Sequence, residues 1–205
     1  MKKAILFDLD GTLWDTAEQV GKVWAEVAEK YSLAFDKSRV KEIMGMTQEE
    51  MVTHFFERDP ERGKAFITEC LREEVVYLAK YGGNIYENTI ETVKELSKSF
   101  KLYIISNCQE GYIEAFLDFY DLREYFEDYE NSGRTGRDKA HNIKLIMERN
   151  GIHDAVYVGD TQKDFLSASK NRVRFIWAKY GFGTCEHYDA AIDDISELVK
   201  LKALF

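Results

Sequence analysis

Apolar and polar residues are patterned in two different ways along the chain. Residues 16–81 carry only helical patterns, such as the apolar positions from Val20 to Tyr31, which recur with a period of about 3.6 residues. From residue 88 onward, short apolar runs alternate with amphipathic stretches. The early run Ala4-Ile5-Leu6-Phe7 has the character of these later runs. The pattern therefore predicts an α/β unit that a helical block interrupts just after its first strand.

Local start and stop signals divide the block into helices. Capping boxes are predicted at Asp15-Thr16-Ala17-Glu18 and at Thr47-Gln48-Glu49-Glu50. Pro60 suits the first position of a further helix, which Asp59 caps and Gly82-Gly83 ends. We therefore expect residues 16–81 to be entirely helical.

The rest of the chain is predicted to alternate strands with helices. Apolar runs predict strands at 102–105, 155–158 and 173–177, and 125–130 has a weaker strand pattern. One helix is expected after a cap at Asn88, and others are expected over 110–120, 139–149, 162–171 and 192–201. This order favours a parallel sheet with right-handed crossovers.

Composition narrows the class of partner. The 205 residues carry a net charge of -9, which argues against nucleic acid, because phosphate backbones require basic surfaces. No segment approaches the roughly 18 apolar residues of a membrane span, and charges interrupt the first apolar run too early for a signal peptide. Cys70, Cys108 and Cys185 lack CxxC spacing. Free thiols in a reducing, cytoplasmic compartment are therefore expected.

Polar side chains follow three of the predicted strands. Asp8-Leu9-Asp10 follows the first strand, Ser106-Asn107 follows the strand at 102–105, and Gly159-Asp160 leads into Asp164. Lys139 begins a predicted helix between the last two. Ligands of parallel sheets bind beyond the carboxyl ends of the strands. We therefore expect these groups to meet in one site.

Such a site favours phosphoryl chemistry. Several carboxylates in one pocket repel each other, so they take up protons or hold a cation. An all-oxygen ligand set suits Mg²⁺, and Mg²⁺ with a lysine suits a phosphoryl group. One carboxylate is then left to attack phosphorus, and a second can protonate the leaving group and later activate water.

These motifs resemble those of the haloacid dehalogenase-like (HAD) hydrolase superfamily, in the same order and over essentially the whole chain. The matches are a DxDGT motif from Asp8 to Thr12, Ser106 at a strand end, Lys139, and a GDxxxD motif from Gly159 to Asp164. The resemblance implies a Rossmann-like α/β core, residues 1–15 and 82–205, with a small all-helical cap, residues 16–81, inserted after the first strand. Within the superfamily, the chain looks most like the phosphoglycolate phosphatase and β-phosphoglucomutase branch.

The resemblance also implies a role for each residue. Asp8 would be the nucleophile and a Mg²⁺ ligand, and Asp10 the general acid/base with its carbonyl on Mg²⁺. Lys139 would neutralise charge, Asp160 would bind Mg²⁺, and Asp164 would support the metal or Lys139. Two further parts of the chain would bind substrate. Ser106 and the Asn107 amide would bind phosphoryl oxygens, and the loop containing Gly45 would face the substrate.

Several alternatives stay open at the level of sequence. Ala140 stands where the family often has proline, so Arg137 and Lys144 remain substitutes for Lys139. Asp160 alone would also serve as a cap for the helix near Gln162, and residues 180–183 read as a plain connection. The expected function is a Mg²⁺-dependent phosphatase acting on a small phosphorylated metabolite, such as phosphoglycolate, by a monomer or weak homodimer. A β-phosphoglucomutase-like phosphomutase and a non-catalytic phosphate-binding protein are the rivals.

Overall fold

The computed structural model describes residues 3–201, in which strands are interspersed with helices and a run of four α-helices lies near the start. In chain order these are β1 (Ala4–Phe7), β2 (Trp14–Asp15), α1 (Ala17–Lys30), α2 (Val40–Ile43), α3 (Gln48–Phe56), α4 (Pro60–Tyr81), β3 (Asn84–Ile85), α5 (Thr89–Ser97), β4 (Lys101–Ser106), α6 (Tyr112–Phe119), β5 (Phe126–Asn131), α7 (Ser132–Thr135), α8 (Lys139–Arg149), β6 (Ala155–Gly159), α9 (Gln162–Lys170), β7 (Arg174–Ala178), β8 (Ala190–Ile192) and α10 (Glu197–Lys200).

The main sheet is parallel and has β1 near its middle. Within residues 3–201 its strand order is β5-β4-β1-β6-β7-β8. Phe7, the last residue of β1, pairs with Ile104 of β4 on one side and with Val158 of β6 on the other. The carboxyl ends of β1, β4 and β6 therefore lie side by side, and the predicted parallel α/β sheet is confirmed.

Helices cover both faces of the sheet, because successive side chains of a strand point to opposite faces. Ile5 and Phe7 pack in one apolar cluster with residues of α5, α6 and α10. Leu6 packs in a second cluster on the other face, with residues of α8 and α9. This burial on both faces explains why β1 reads as an unbroken apolar run.

Helices α1 to α4 form the insertion and have an apolar cluster of their own. Trp24 of α1 is fully buried there, with Phe35, Phe55 and Phe66 around its ring. The predicted Rossmann-like core with an all-helical insertion is therefore confirmed as the fold class. The domain bounds at residues 15/16 and 81/82 stay a prediction, and residues 1, 2 and 202–205 of the predicted core lie outside the described residues.

Local signals were correct at two of the predicted helix starts in the insertion. Thr47 and Glu50 form the predicted capping box at the start of α3. Asp59 accepts a hydrogen bond from the Arg62 amide, and Pro60 is the first residue of α4. These ends were predictable because all the groups involved are neighbours in sequence.

One predicted capping box was wrong, and one predicted N-cap residue lacks the capping hydrogen bond. Thr16, not Asp15, is the N-cap residue of α1, and its hydroxyl bonds to Asp10 instead of capping the helix. Asp15 accepts a hydrogen bond from the amide of Ala17, the first residue of the helix, so it lies one position too early to be the N-cap. Asn88 is the N-cap residue of α5, as predicted, but it has a left-handed φ of 63° and its side chain donates to Asp194 instead of capping the helix. At Asn88, a partner distant in sequence takes the side chain that the local pattern assigned to the helix end.

The predicted closing helix over 192–201 was also wrong in its first half. Ala190–Ile192 is instead an edge strand that pairs with β7, and the helix spans only Glu197–Lys200. Between them Asp194 accepts hydrogen bonds from the amide and hydroxyl of Ser196, which forms a turn.

Among the helices of residues 3–201, none has the length and apolar character needed to cross a bilayer.

Candidate active site

The turn after β1 places Asp8 and Asp10 at the centre of the site. The backbone turns back on itself, since the Leu13 amide donates to the Leu9 carbonyl at 2.8 Å. Gly11 has a φ of 81°, which favours glycine. A side chain at Gly11 would overlap the carboxylate of Asp160. The glycine therefore permits both the turn and the close approach of a third carboxylate.

Lys139 joins two of the carboxylates. Its ammonium lies 2.7 Å from Oδ1 of Asp8 and 2.5 Å from Oδ1 of Asp164, and its side chain is 5% exposed. Burial lowers the pKa of Lys139, but the charges of Asp164 and Asp8 raise it well above its usual value, so the ammonium stays charged. The two alternative cations, Arg137 and Lys144, are exposed, and Lys144 pairs with Glu148.

Asp164 links the start of α9 to Lys139. Its Oδ2 accepts hydrogen bonds from the amide and hydroxyl of Thr161, and Thr161 in turn caps α9. Its Oδ1 accepts from Lys139. The N-cap of α9 is therefore Thr161, and the alternative in which Asp160 caps this helix was wrong.

Asp160 is held by a loop from another part of the chain. The amides of Phe182 and Gly183 donate to its Oδ2 at 2.7 and 3.3 Å. The loop at 180–183, interpreted from sequence as a plain connection, therefore orients a site carboxylate. Burial, followed by the charge of Asp164, raises the pKa of Asp160 to about 7.

The carboxylates suit a hard cation. Oxygen atoms of Asp8, Asp160 and Asp164 all lie within 4.8 Å of one another. Oδ1 of Asp160 is buried and has no hydrogen-bond partner among residues 3–201, although buried polar atoms are normally satisfied. Burial raises the pKa of Asp8 well above its usual value, with Lys139 acting against it. An oxygen-binding divalent cation would satisfy the orphaned atom and relieve the crowding of negative charge.

Asp10 lies in a ring of three oxygen atoms. The hydroxyls of Thr16 and Tyr112 each lie 2.9 Å from its Oδ1 and 2.8 Å from one another. Two hydroxyl protons cannot fill three contacts, whereas a protonated carboxyl supplies the third. Burial raises the pKa of Asp10 to about 6, even though both hydroxyls lower it. The geometry and the pKa both fit a carboxyl that exchanges a proton near neutral pH.

The end of β4 brings the helical insertion into contact with the core. Ser106 is buried beside Asp8 and Asp10 in the lining of one cavity. The Asn107 side chain donates to the Gly45 carbonyl at 2.9 Å and accepts from the Ser132 hydroxyl at 3.1 Å. Gly45 lines the same cavity. Five predicted site residues therefore line one cavity: Asp8, Asp10, Gly45, Ser106 and Asn107. The other three, Lys139, Asp160 and Asp164, lie beside Asp8, and the roles of all eight are still to be tested.

Sequence reasoning missed several polar residues at this site. Among them, Glu74 of α4 is buried and accepts hydrogen bonds from the Trp24 indole and from Gln109. It occupies a position in the buried stripe of α4 formed by Cys70, Leu71 and Leu78. A carboxylate in an apolar stripe is a signal that the sequence does carry. Tyr112 and Thr16 carry none, because tyrosine and threonine are ordinary near helix starts.

Comparison with known proteins gives consistent matches. A family model described as haloacid dehalogenase-like hydrolase matches residues 5–178. The phosphoglycolate phosphatase of Aquifex aeolicus (strain VF5) is 27% identical over 210 residues, which cover 97% of this chain and 96% of that protein. The β-phosphoglucomutase of Bacillus subtilis (strain 168) is 40% identical over 48 residues, or 23% of this chain and 21% of that protein. A predicted phosphatase from Clostridium acetobutylicum has a crystal structure with a TM-score of 0.83, 23% identity and 100% coverage of both chains, which shows a shared fold.

Proposed function

The chain belongs to the haloacid dehalogenase-like hydrolases and is a phosphoric monoester hydrolase, and on that premise we propose that it cleaves a small phosphomonoester through an aspartyl-phosphate on Asp8. The observation that carries the proposal is the buried group of Asp8, Asp160 and Asp164 around Lys139. Acids from β1 and from the end of β6 meet only because the sheet is parallel and these strands are neighbours.

Asp8 is the proposed nucleophile because of how its two oxygens are occupied. Lys139 bonds to Oδ1, and Oδ2 has no hydrogen bond with any of residues 3–201. Attack by Asp8 forms an oxygen–phosphorus bond and breaks the bond between phosphorus and the leaving oxygen. The leaving oxygen takes the proton of Asp10 and departs as an alcohol.

Water then releases the phosphate. Asp10, now ionised, accepts a proton from a water molecule as the water oxygen attacks phosphorus. The bond between phosphorus and Asp8 breaks, which regenerates the Asp8 carboxylate and the acid form of Asp10. Asp10 thus gives and recovers one proton per turnover, a task suited to a pKa of about 6.

The remaining residues would bind and position the substrate. Mg²⁺ would be held by Asp8, Asp160 and the Asp10 carbonyl, with Asp164 behind them, and would supply positive charge against the phosphoryl oxygens. Ser106 and the Asn107 amide would hold the transferring group. The helical insertion, residues 16–81, would act as a cap that excludes water and contacts the leaving group through the Gly45 loop.

Replacement of the nucleophile tests this proposal. Phosphate release from a panel of phosphorylated metabolites, with Mg²⁺ and with EDTA, should be lost in Asp8→Asn at every substrate. Asp154→Asn is the control, since Asp154 is half exposed and pairs with Lys3 and Arg174 away from the site. Full turnover by Asp8→Asn would refute the assignment of Asp8 as the nucleophile. If the wild-type protein instead isomerised a sugar phosphate, and only when a sugar bisphosphate was added, it would be a phosphomutase.

The names of the relatives suggest the first compound to test but do not identify the substrate of this chain. Phosphoglycolate belongs on it because the Aquifex aeolicus relative is named for that substrate. The panel should also contain esters of uncharged and amino alcohols, since the charge of the cavity bears directly on the choice.

A further inference from the structure

The cavity between the insertion and the core has an unusual distribution of charge. Asp8 and Asp10 lie on the core side, and Glu74 of α4 lies on the side of the insertion. Among residues 3–201, no lysine, arginine or histidine lines this space. The nearby Lys139 ammonium is already engaged by Asp8 and Asp164. A leaving group in this cavity would therefore meet acceptors and negative charge.

Glu74 is rigidly held in place. Its Oε1 accepts from the Trp24 indole and its Oε2 from the Gln109 amide at 2.9 Å. Gln109 is itself fixed, because the same amide donates to the Leu71 carbonyl at 3.0 Å. Glu74 is only 4% exposed. A carboxylate oxygen that accepts one hydrogen bond keeps a second lone pair, so Glu74 is a positioned acceptor with capacity left for a ligand.

We propose that Glu74 selects the leaving group: it accepts a hydrogen bond from a hydroxyl or ammonium group and rejects a carboxylate. This rests on the proposed phosphatase function and narrows its substrate to small phosphate esters of alcohols, polyols or amino alcohols. A carboxylate at this point would be a buried negative charge without a partner, close to a second one. Phosphoglycolate, whose alcohol leaving group carries a carboxylate, is thus a poor substrate.

A longer acidic leaving group gains little from the neighbouring cleft. Arg137 lines that cleft, but Glu49, Glu50 and Asp138 line it as well. The acids outnumber the single arginine, so the cleft does not provide a net positive site. The selectivity for uncharged or cationic leaving groups therefore extends beyond the inner cavity.

Three two-carbon phosphate esters test the assignment: 2-phosphoglycolate, 2-hydroxyethyl phosphate and phosphoethanolamine. They share a skeleton and differ in ending in a carboxylate, a hydroxyl or an ammonium group. The assay is run at about pH 8, above the pKa of about 7 that burial gives Glu74. We expect kcat/KM for the hydroxyl ester to exceed that for phosphoglycolate by at least about tenfold. Equal or better use of phosphoglycolate would overturn the assignment.

Two variants separate the charge of Glu74 from its shape. Glu74→Gln should raise kcat/KM for phosphoglycolate relative to 2-hydroxyethyl phosphate by about tenfold, because one negative charge is lost. The double variant Glu74→Gln/Gln109→Glu returns a carboxylate to the same cavity and should restore the discrimination. An unchanged ratio in a folded Glu74→Gln protein, checked by circular dichroism, would show that Glu74 does not select.

Binding without turnover distinguishes failure of this inference from failure of the proposed function. Calorimetry with Asp8→Asn protein measures the affinity of the same three esters when none can be cleaved. If the wild-type protein hydrolyses none of them but Asp8→Asn binds the hydroxyl and ammonium esters more tightly, the selectivity stands and the hydrolytic proposal fails for this class. Preference for phosphoglycolate, or no binding of 2-hydroxyethyl phosphate, refutes the role of Glu74.

Discussion

At the scale of single residues, we expect proton transfer by Asp10 to depend on Tyr112, which takes no part in the bond-making steps. Tyr112 and Thr16 fix the proposed acid in a ring of short contacts. Tyr112→Phe removes one hydroxyl and keeps the aromatic ring that packs on Trp14. We expect kcat to fall by about tenfold, in line with the loss of one hydrogen bond to a charged group, while KM and the melting temperature change little.

Tyr120→Phe is the matched control for that substitution. Tyr120 also packs against Trp14, but its hydroxyl donates to the Gly83 carbonyl at 2.7 Å and does not contact Asp10. Steady-state kinetics on both variants should show the kcat defect only in Tyr112→Phe. A similar loss in both would mean that Tyr112 acts through packing alone.

The raised pKa of Glu74 should make the stability of the fold depend on pH. Burial raises its pKa from 4.5 to about 7, so between these values the folded protein binds more protons than the unfolded chain. The free energy of unfolding therefore falls as pH rises through this window, by at most about 3 kcal/mol, and the loss is complete above it. Glu74→Gln removes this pH-dependent contribution to the free energy of unfolding, so the wild-type protein should lose stability relative to the variant as pH rises.

Chemical denaturation at a series of pH values measures this difference. Glu73→Gln controls for the loss of one carboxylate from α4, since Glu73 pairs with Arg72 near the surface. Subtraction of wild-type and variant curves isolates Glu74 from Asp8 and Asp160, whose pKa values are raised as well. Parallel curves for wild-type and Glu74→Gln proteins would contradict the raised pKa.

At the scale of elements, the turn after β1 controls how closely the carboxylates approach one another. Gly11→Ala would strain a backbone with a φ of 81° and push a methyl group into Asp160. We expect a loss of about 1–3 kcal/mol of stability from strain and loss of most of the turnover, because Asp160 must move. Thermal unfolding and kcat measure the two effects.

Gly151→Ala separates strain from displacement. Gly151 has a similar φ of 59°, but nothing lies within 4 Å of the position a side chain would take. This variant should lose a comparable amount of stability and keep its activity. If Gly11→Ala kept full turnover, the close contact between Gly11 and Asp160 would have no catalytic meaning.

Elements with local signals were predictable, whereas elements defined by distant partners were not. The capping box at Thr47 and the Pro60 start of α4 depend on neighbours in sequence, and both predictions were confirmed. The ribbon of β2 and β3 was missed, since its two-residue strands pair across the whole insertion. Strand β8 was missed for a similar reason: Ala190–Ile192 is recognisable as a strand only beside β7.

The same distinction applies to the site. Asp8, Asp10, Ser106 and Asp160 could be predicted to lie together because parallel strands direct their carboxyl ends to one edge, whereas Lys139, at the start of α8, was assigned through the family resemblance. Tyr112 reaches Asp10 from α6, and the amide of Phe182 reaches Asp160 from a loop. Neither has a sequence signal: the Tyr112 hydroxyl meets Asp10 only after α6 has packed on the core, and Phe182 contributes a backbone amide that nearly every residue type carries.

At the scale of the whole molecule, the insertion is joined to the core along one side and only touches it on the other. The chain crosses between them at Trp14–Asp15 and Asn84–Ile85, which pair as an antiparallel ribbon. Contacts on the far side include the Asn107–Gly45 hydrogen bond and the ion pair between Lys163 and Glu50. Only about 40 Å³ of the cavity is open to water, room for roughly three molecules. A phosphate ester needs more room than this, so we expect the insertion to move away from the core about this ribbon when substrate enters.

The ion pair of Lys163 and Glu50 should set how readily that movement occurs. Its atoms are 2.7 Å apart but half exposed, so its worth to stability is about 0–1 kcal/mol. Lys163→Glu replaces the attraction with repulsion and lowers the fraction of closed protein. Since apparent affinity scales with that fraction, KM should rise by about threefold to tenfold with little change in melting temperature.

Lys98→Glu is the control variant for this prediction. It disrupts an equally short ion pair, with Glu95, at the C-terminal end of α5, and it should leave KM unchanged. Salt screens exposed charges, so the KM values of wild-type and Lys163→Glu proteins should converge at high ionic strength; equal KM values at low salt would show that this contact does not govern closure.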